Sequence, residues 1–558
     1  MELSALVRSL LARRGIESDE HITAFLEPDY ERGTHDPFLL AGMERTVSRL
    51  LLAIAQGERI AVYADFDCDG IPGAALLSDF FTKLNYSNFE VYLPHRDREG
   101  YGFHTEAIAE LASRGASLII TVDVGTTSVD AVDFAKAKGI DVIVTDHHEI
   151  PATLPNALAV LNPKIEGYPF PDLCGAAVAF KLAHAILIEG KRRDLAAFKD
   201  IADGWEKWLL DLVAIATVAD MVPLVGENRV LTHWGLKVLR KSPRQGLRAL
   251  IAKLRLRQAE LTEDDIGFSI APRINAASRM DEPDLALKLL TTEDASEAHA
   301  LAAQLELLNA SRKGVVAGIV KEARKHVLAR FSSEERVVVV GSPAWKPALL
   351  GLAANSIMAE RGGVVCLWGR DANGNLKGSC RSDGNISIAE LFANAGDVFD
   401  EAGGHANSGG FSVSHENVHT LSEELTRAAS SLRSTVSDTD KNDSTPDALI
   451  SLPELSSAFF ADVSLLAPFG IGNPKPVLSV CDTVVTDVRR FGRDSAHVEL
   501  RLECRRSGAR MRAFDFFRAP EEFTLTPVVG TEARVLATIG RDSYRGGLAL
   551  RIVDVVSV

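Results

Sequence analysis

The sequence contains no apolar run of about 18 residues, so no helix that crosses a bilayer is expected. Its first stretch, "MELSALVRSLLARRG", interrupts the apolar residues with Arg8, Arg13 and Arg14 and lacks the core of a signal peptide. It reads instead as a short amphipathic helix. No C-x-x-C pair occurs among the six cysteines, Cys68, Cys174, Cys366, Cys380, Cys481 and Cys504. Their scatter disfavours a zinc site and a disulfide framework, and it fits a reducing cytoplasm. Positive charge is in deficit: 61 Lys and Arg face 76 Asp and Glu, for a net charge of −15. That balance argues against a general nucleic-acid coat protein. It leaves room for a nucleic-acid enzyme, because the local field matters more than the sum. No internal repeat is present.

What remains is ordinary globular material, with 46% hydrophobic and 25% charged residues in a chain of 558. That length is too great for one core, and about two to four domains are expected. From residue 58 onward apolar β-rich runs alternate with helical patterns. "RIAVYA", "FEVYLP", "SLIITVD" and "DVIVTD" read as buried strands. "PGAALLSDFFTKL", "TEAIAELASRG" and "SVDAVDFAKAKG" read as the helices between them. The alternation predicts an α/β domain built on a parallel sheet. A mostly helical stretch follows from about residue 176 to 330, and a second α/β pattern begins at "ERVVVV". Residues 431–447 are polar, acidic and rich in Ser and Thr, and they read as a linker. Short strand-like segments beyond it predict a small β-barrel.

Acidic and imidazole side chains cluster after the predicted strands, where open α/β sheets bind ligands. "ADFDCDG" places Asp65, Asp67 and Asp69 at alternating positions, where like charges repel unless a cation offsets them. An EF-hand loop would need Glu at its twelfth position and a preceding helix, but Leu76 stands there and a strand precedes. Asp123 closes "SLIITVD", Asp146-His147-His148 close "DVIVTD", and Asp220 interrupts the apolar "LVAIATVADMVPL". Each alone is more often a cap or a satisfied polar group. Together, with no thiolate among them, they suit Mn²⁺ or Mg²⁺. Two such cations, about 3.5–4 Å apart, serve phosphoester hydrolysis.

"VYADFDCDG", "TVDVG", "VTDHH" and "VAIATVADMVPL", in that order, resemble the four motifs of the DHH phosphoesterase superfamily. "FLEPDYERGTHDPFLLAGMERTVSRL", "YLPHRDREGYG", "APRINAASRM", "LKGSCRS", "EAGGHANSGGF" and "LAPFGIGNPKPVL" extend the likeness to its single-strand-specific 5′→3′ DNA exonucleases. The resemblance implies six parts: a lead-in segment (1–45), a DHH catalytic domain (46–235) and a helical connector (236–333), followed by a DHH-associated domain (334–432), a linker (433–448) and an OB-fold (449–558). It also implies a metal-binding set of Asp65, Asp67, Asp69, Asp123, His147 and Asp220, with Asp123 as the bridge between two divalent cations. Asp146 would orient the imidazoles, and His148 would face the phosphate. Arg96, Arg273, Arg279, Ser379 and Arg381 are the expected end-binding residues, since guanidinium forks suit a terminal phosphate. Gly403, Gly404 and His405 match a glycine-rich turn that lets a strand's backbone approach. The implied substrate is single-stranded DNA, and the implied partners are a single-strand-binding protein and a helicase.

Two other enzyme and non-enzyme readings compete. One is a phosphodiesterase of short oligonucleotides or cyclic dinucleotides; such proteins are usually shorter and lack the OB region. The other is a non-catalytic replication-associated relative, but those have lost metal ligands that are all present here. This chain departs from the family at Trp345-Lys346-Pro347-Ala348, at Ser278 and at Cys380. A run from Lys237 through Arg240, Lys241, Arg244, Arg248, Lys253 and Arg255 to Arg257 carries no acid. It is either a solvated helix face or a wall that tracks phosphates. In the barrel, Arg489, Arg490, Phe491 and Arg493, then Phe514, Phe516, Phe517 and Arg518, mix charge with aromatic faces as single-strand binders do.

Overall fold

The computed structural model describes residues 3–432, 445–492, 495–542 and 545–558. Most of the expected linker (433–444) and Arg493 therefore lie outside the described residues. The chain divides into two units, one of Thr34–Val222 with Gly226–Lys441, the other of Met1–Gly33, Pro223–Val225 and Asn442–Val558.

The first unit holds two sheets. Strands β1 (Ile60–Ala64), β2 (Phe89–Tyr92), β3 (Leu118–Val122), β4 (Asp141–Thr145) and β5 (Ala159–Leu161) run parallel in the order β2-β1-β3-β4-β5. β1 and β3 are buried along their whole length, which is why they read as continuous apolar runs instead of alternating ones. The helices Gly70–Lys83, Thr105–Ser113 and Val129–Ala137 make the crossovers. Short β5 carries too few residues to show in the sequence pattern.

The helical stretch follows, ending in the 36-residue helix Ala295–Arg330. The second sheet has the order β6-β7-β8-β10-β9, from β6 (Val337–Gly341), β7 (Val364–Arg370), β8 (Leu376–Ser382), β9 (Glu401–Gly404) and β10 (Ser408–Val413). Only β6 and β7 are parallel. Here one expectation from the cysteine count is corrected. Cys366 and Cys380 are register partners on antiparallel β7 and β8, and a disulfide joins them. A separation of 14 residues carries no disulfide signature in sequence; only strand pairing brings the two together.

In the second unit, β12 (Leu478–Phe491), β13 (His497–Cys504), β14 (Arg510–Asp515), β16 (Leu548–Val556) and β15 (Glu532–Arg541) close a barrel through the β12–β15 pairing. β11 (Ala448–Ser451) adds to β12. The N-terminal helices Ala5–Ala12 and Asp19–Leu26 belong to this core, and Val7, Leu10, Leu11 and Ile22 are buried with barrel residues such as Val485 and Leu500. Ser4 and Ser18 cap the two helices. Among the described residues, no helix is long and apolar enough to cross a membrane.

Candidate metal centre and end-binding pocket

Because β1, β3 and β4 are neighbours, Asp65, Asp123 and Asp146 emerge side by side at their carboxyl ends. Asp69 heads the helix Gly70–Lys83, and Asp220 sits at the C-terminal end of the helix Leu210–Ala219. A carboxylate there meets the negative end of the helix dipole, an unfavourable place for a purely structural acid. Two glycines permit the crowding. A Cβ on Gly70 would lie 2.2 Å from the Asp65 carbonyl oxygen, and one on Gly175 would lie 2.5 Å from Asp123 Cβ. Asp123 itself is held at φ 61°, a left-handed conformation costly for a side-chain-bearing residue.

Three groupings of ligand atoms each fall within 4.8 Å: Asp65, Asp67 and Asp123; Asp69, His147 and Asp220; and Asp123, His147 and His148. His147 Nε2 lies 3.3 Å from Asp123 Oδ1, 3.6 Å from Asp220 Oδ2 and 3.7 Å from Asp69 Oδ2. Asp123 and His147 are each shared by two groupings. Asp69 also accepts backbone N–H bonds from Gly175 (2.6 Å) and Ala176 (2.8 Å) at the start of the helix Gly175–Arg192.

These residues fit divalent cations. The Oδ1 atoms of Asp65 and Asp123 are buried with no hydrogen-bond partner. Burial, and then the neighbouring carboxylates, push Asp65 and Asp123 well above the usual range and Asp220 up to about 9. Burial pulls His147 down, which favours the neutral imidazole a metal needs. Burial, then Asp67 and Asp69, hold the Cys68 thiol protonated, so the donors are oxygen and nitrogen alone.

Asp146 has a different task. Its carboxylate accepts from Thr126 N (2.9 Å) and His147 N (2.7 Å), and its Oδ1 lies 2.7 Å from His148 Nδ1. Burial would lower the His148 pKa, but the bond to Asp146 together with the charges of Asp146, Asp65 and Asp69 outweighs it and raises the pKa. Asn162 fixes the same turn by donating to the His148 carbonyl at 2.9 Å.

A second cluster is cationic. Burial, then Arg96 and Arg312, lower Arg279 to about 9, with a smaller contribution from Arg381. Burial and then Arg96 lower Arg381. Crowded guanidiniums of this kind form a site for an anion. Arg96 lies 4.8 Å over the Phe66 ring, Arg279 donates to the Ala348 carbonyl (2.7 Å), and Gly351 leaves the room Arg381 occupies. Ser379 and Arg381 share one face of β8. Arg273 pairs with Glu306 at 2.8 Å, and its charge acts on Arg312. Gly403 and Gly404 lie exposed on the edge strand β9, opposite Gly410 and Gly409. His405 follows, close enough to Glu149 to add to the lowering of its pKa by Lys164, which burial opposes.

Sequence reasoning missed four participants. The Tyr101 hydroxyl lies within 3.3 Å of both His148 ring nitrogens. Asn275 Oδ1 accepts from Cys68 N at 3.0 Å and so ties "APRINAASRM" to the aspartate loop. Arg312 joins the guanidinium cluster from the helix Ala295–Arg330. Thr126 holds Asp146. Tyr101 and Asn275 stand inside motifs already singled out, where the charged neighbours drew the attention. The departure at Trp345-Lys346 also has a place: Trp345 donates to Glu322 (2.8 Å), and Lys346 pairs with Asp281, two residues after Arg279.

Residues 59–217 match the DHH family N-terminal domain, 334–431 the DHHA1 domain and 446–554 the RecJ OB domain. Fold and centre together define a phosphoesterase of the DHH class. The chain belongs to the RecJ family. The single-stranded-DNA-specific exonuclease RecJ of Haemophilus influenzae is 32% identical, over 93% of this chain and 91% of its own. RecJ of Bacillus subtilis is 35% identical over 90% of this chain, which spans 62% of that longer protein. The crystal structure of RecJ from Thermus thermophilus in complex with Mn²⁺ matches all of this chain and 76% of its own, at 28% identity and TM-score 0.78. A second structure, exonuclease RecJ bound to manganese, matches 71% of this chain and 96% of its own, at 32% identity and TM-score 0.61.

Proposed function

We propose that this chain is a metal-dependent exonuclease that hydrolyses single-stranded DNA from the 5′ end, in DNA repair and recombination. The observation that carries the reading is Asp123, shared by two ligand groupings at a centre flanked by the cluster of Arg96, Arg279 and Arg381. Asp65, Asp67, Asp69, Asp123, His147 and Asp220 would hold two cations, Mn²⁺ or Mg²⁺, with Asp123 between them. Bound there, the cations would activate water and stabilise the leaving oxygen. His148, whose protonated form Asp146 favours, faces the same carboxylates and is placed to offset phosphate charge or to give a proton to the departing oxygen. The guanidinium cluster would take the terminal phosphate and so set the polarity, with Ser379 and the turn at Gly403, Gly404 and His405 contacting the strand.

The domain division expected from the sequence goes with this reading, with the OB-fold binding the single strand. A single-strand-binding protein and a helicase are the partners proposed, since both govern the supply of unpaired DNA. The location proposed is the cytoplasm, where such DNA is found in cells without a nucleus. The RecJ OB match at 446–554 favours an exonuclease over a phosphodiesterase of short oligonucleotides. Digestion of end-labelled single and double strands, with and without a 5′-phosphate, in Mn²⁺ and Mg²⁺ tests the proposal. Loss of label from 5′-phosphorylated single strands first is expected. Equal attack on duplex, or release from the 3′ end, would overturn it.

A further inference from the structure

Three of the chain's five tryptophans gather with lysines on one surface of the catalytic unit. Trp205 and Trp208 share one side of the short 3₁₀ helix Trp205–Leu209, because residues three apart eclipse in that geometry. Trp234 lies on the helix Gly226–Leu239, with Lys237 one turn further along its face. Ammonium groups sit over the rings: Lys83 at 5.9 Å from Trp205, Lys241 at 5.4 Å from Trp208, and Lys237 and Lys207 at 4.3 and 5.9 Å from Trp234. Trp208 is 43% exposed, and Lys83, Lys237 and Lys241 are exposed as well.

This surface is not the catalytic centre. Lys83 ends the helix that Asp69 begins, and Trp205–Leu209 leads into the helix that Asp220 ends. Helices of 14 and 10 residues separate the two places by about 21 and 15 Å. The field is positive. Burial, then Lys237, Arg229 and Arg240, push His233 down to about 4. Nearby acids are mostly engaged: Asp203 pairs with Lys191, and Asp79 and Asp211 pair with Arg244. Glu206, the acid within the tryptophan segment, is engaged as well.

We infer that this patch binds single-stranded nucleic acid, as a second hold on a strand whose end lies at the metal centre. Indole faces and ammonium groups side by side offer the two contacts a single strand needs, stacking for bases and positive charge for phosphates, and base stacking on aromatic rings tolerates any sequence. An acidic peptide would meet the same lysines but would leave the repeated flat faces without a matching repeat. The inference rests on the nuclease reading above and deepens it.

The test uses the full chain carrying Trp208→Ala, or Lys237→Gln with Lys241→Gln, all at exposed positions. Binding of labelled long and short oligo(dT) is followed by anisotropy in EDTA, where no turnover occurs, across a salt series. Long-strand affinity should fall about tenfold for Trp208→Ala. The double lysine variant should flatten the salt dependence by about 0.7 for each phosphate it no longer neutralises. Metal-dependent hydrolysis of the short oligonucleotide should stay at the unaltered rate, which also shows that the variants fold. Unchanged long-strand affinity and salt slope in both variants would overturn the inference and point to a protein partner instead. Failure of the unaltered chain to hydrolyse any single strand would sink the nuclease reading while leaving the binding result legible.

Discussion

His148 Nδ1 lies 2.7 Å from Asp146 Oδ1, yet Asp146 belongs to none of the three groupings that can hold a cation. The "DHH" tripeptide is thus divided between two jobs: His147 reaches Asp69, Asp123 and Asp220, while Asp146 holds the ring of His148. Asp146→Asn keeps one of the two oxygens that accept backbone N–H bonds and removes the charge that favours the protonated form of His148. Turnover should fall about ten- to a hundredfold, with Mn²⁺ affinity nearly unchanged. Single-turnover rates beside calorimetric Mn²⁺ titration check this; an equal loss of metal binding would make Asp146 a ligand.

Two glycine-to-alanine changes should have opposite outcomes. Gly175→Ala puts a methyl 2.5 Å from Asp123 Cβ, so it should displace the shared carboxylate and abolish hydrolysis. Gly314→Ala, in the long helix with nothing within 4 Å, should leave activity intact and stabilise the chain by about 0.5–1 kcal/mol. Denaturant melts and hydrolysis rates for both variants separate the cases.

Cation binding should be visible as stability. Buried Asp65, Asp69 and Asp123 repel one another without an offsetting charge. A cation that binds only the folded chain adds about 2.7 kcal/mol at a hundred times its dissociation constant. Mn²⁺ should therefore raise the melting temperature above that in EDTA. Asp123→Ala should lose both the shift and all hydrolysis while keeping its circular dichroism. A full shift in that variant would remove Asp123 from the centre.

Arg279, crowded by Arg96, Arg312 and Arg381, should matter most for strands that carry a terminal phosphate. A charge-assisted hydrogen bond contributes about 1.5–3 kcal/mol, so Arg279→Ala or Arg381→Ala should weaken 5′-phosphorylated strands about ten- to a hundredfold. Unphosphorylated strands should change much less. Arg273→Ala, which breaks the pair with Glu306, should show no such selectivity. Competition binding with both kinds of end decides the matter.

How much of this was legible in the sequence follows from the range of each interaction. The strands bearing Asp65, Asp123 and Asp146 are buried on both faces, so their apolar runs were plain, and their carboxyl ends marked the site. Asp220 was visible because a charge directly after a mostly apolar run is expensive unless something offsets it. Pairings made across the fold left no local trace. The Cys366–Cys380 disulfide depends on the β7–β8 register, and the capture of Arg273 by Glu306 depends on how two helices pack. Arg244, which looked like part of a basic face, is bound to Asp79 and Asp211. The lead-in segment is a further case. Its amphipathic helix was expected, but nothing nearby showed that its apolar face completes the barrel's core.

That last point changes how the barrel should be removed. A chain cut at residue 441 keeps the helices Ala5–Ala12 and Asp19–Leu26 but strips the cover from Val7, Leu10, Leu11 and Ile22. Burying each such side chain contributes about 1.5–3 kcal/mol, so the cut chain should expose a sticky face and self-associate. A chain of residues 34–441 lacks that face and should stay monomeric, since the helices and barrel leave together. It retains every proposed metal ligand and the guanidinium cluster. Metal-dependent hydrolysis of very short oligonucleotides should therefore persist, while affinity for long strands falls, because stacking in OB-type barrels contributes about 1–3 kcal/mol per base. Light scattering and circular dichroism of both chains come first, then hydrolysis and anisotropy. If the 34–441 chain is folded and binds long single strands as tightly as the full chain, the barrel is not a DNA-binding module.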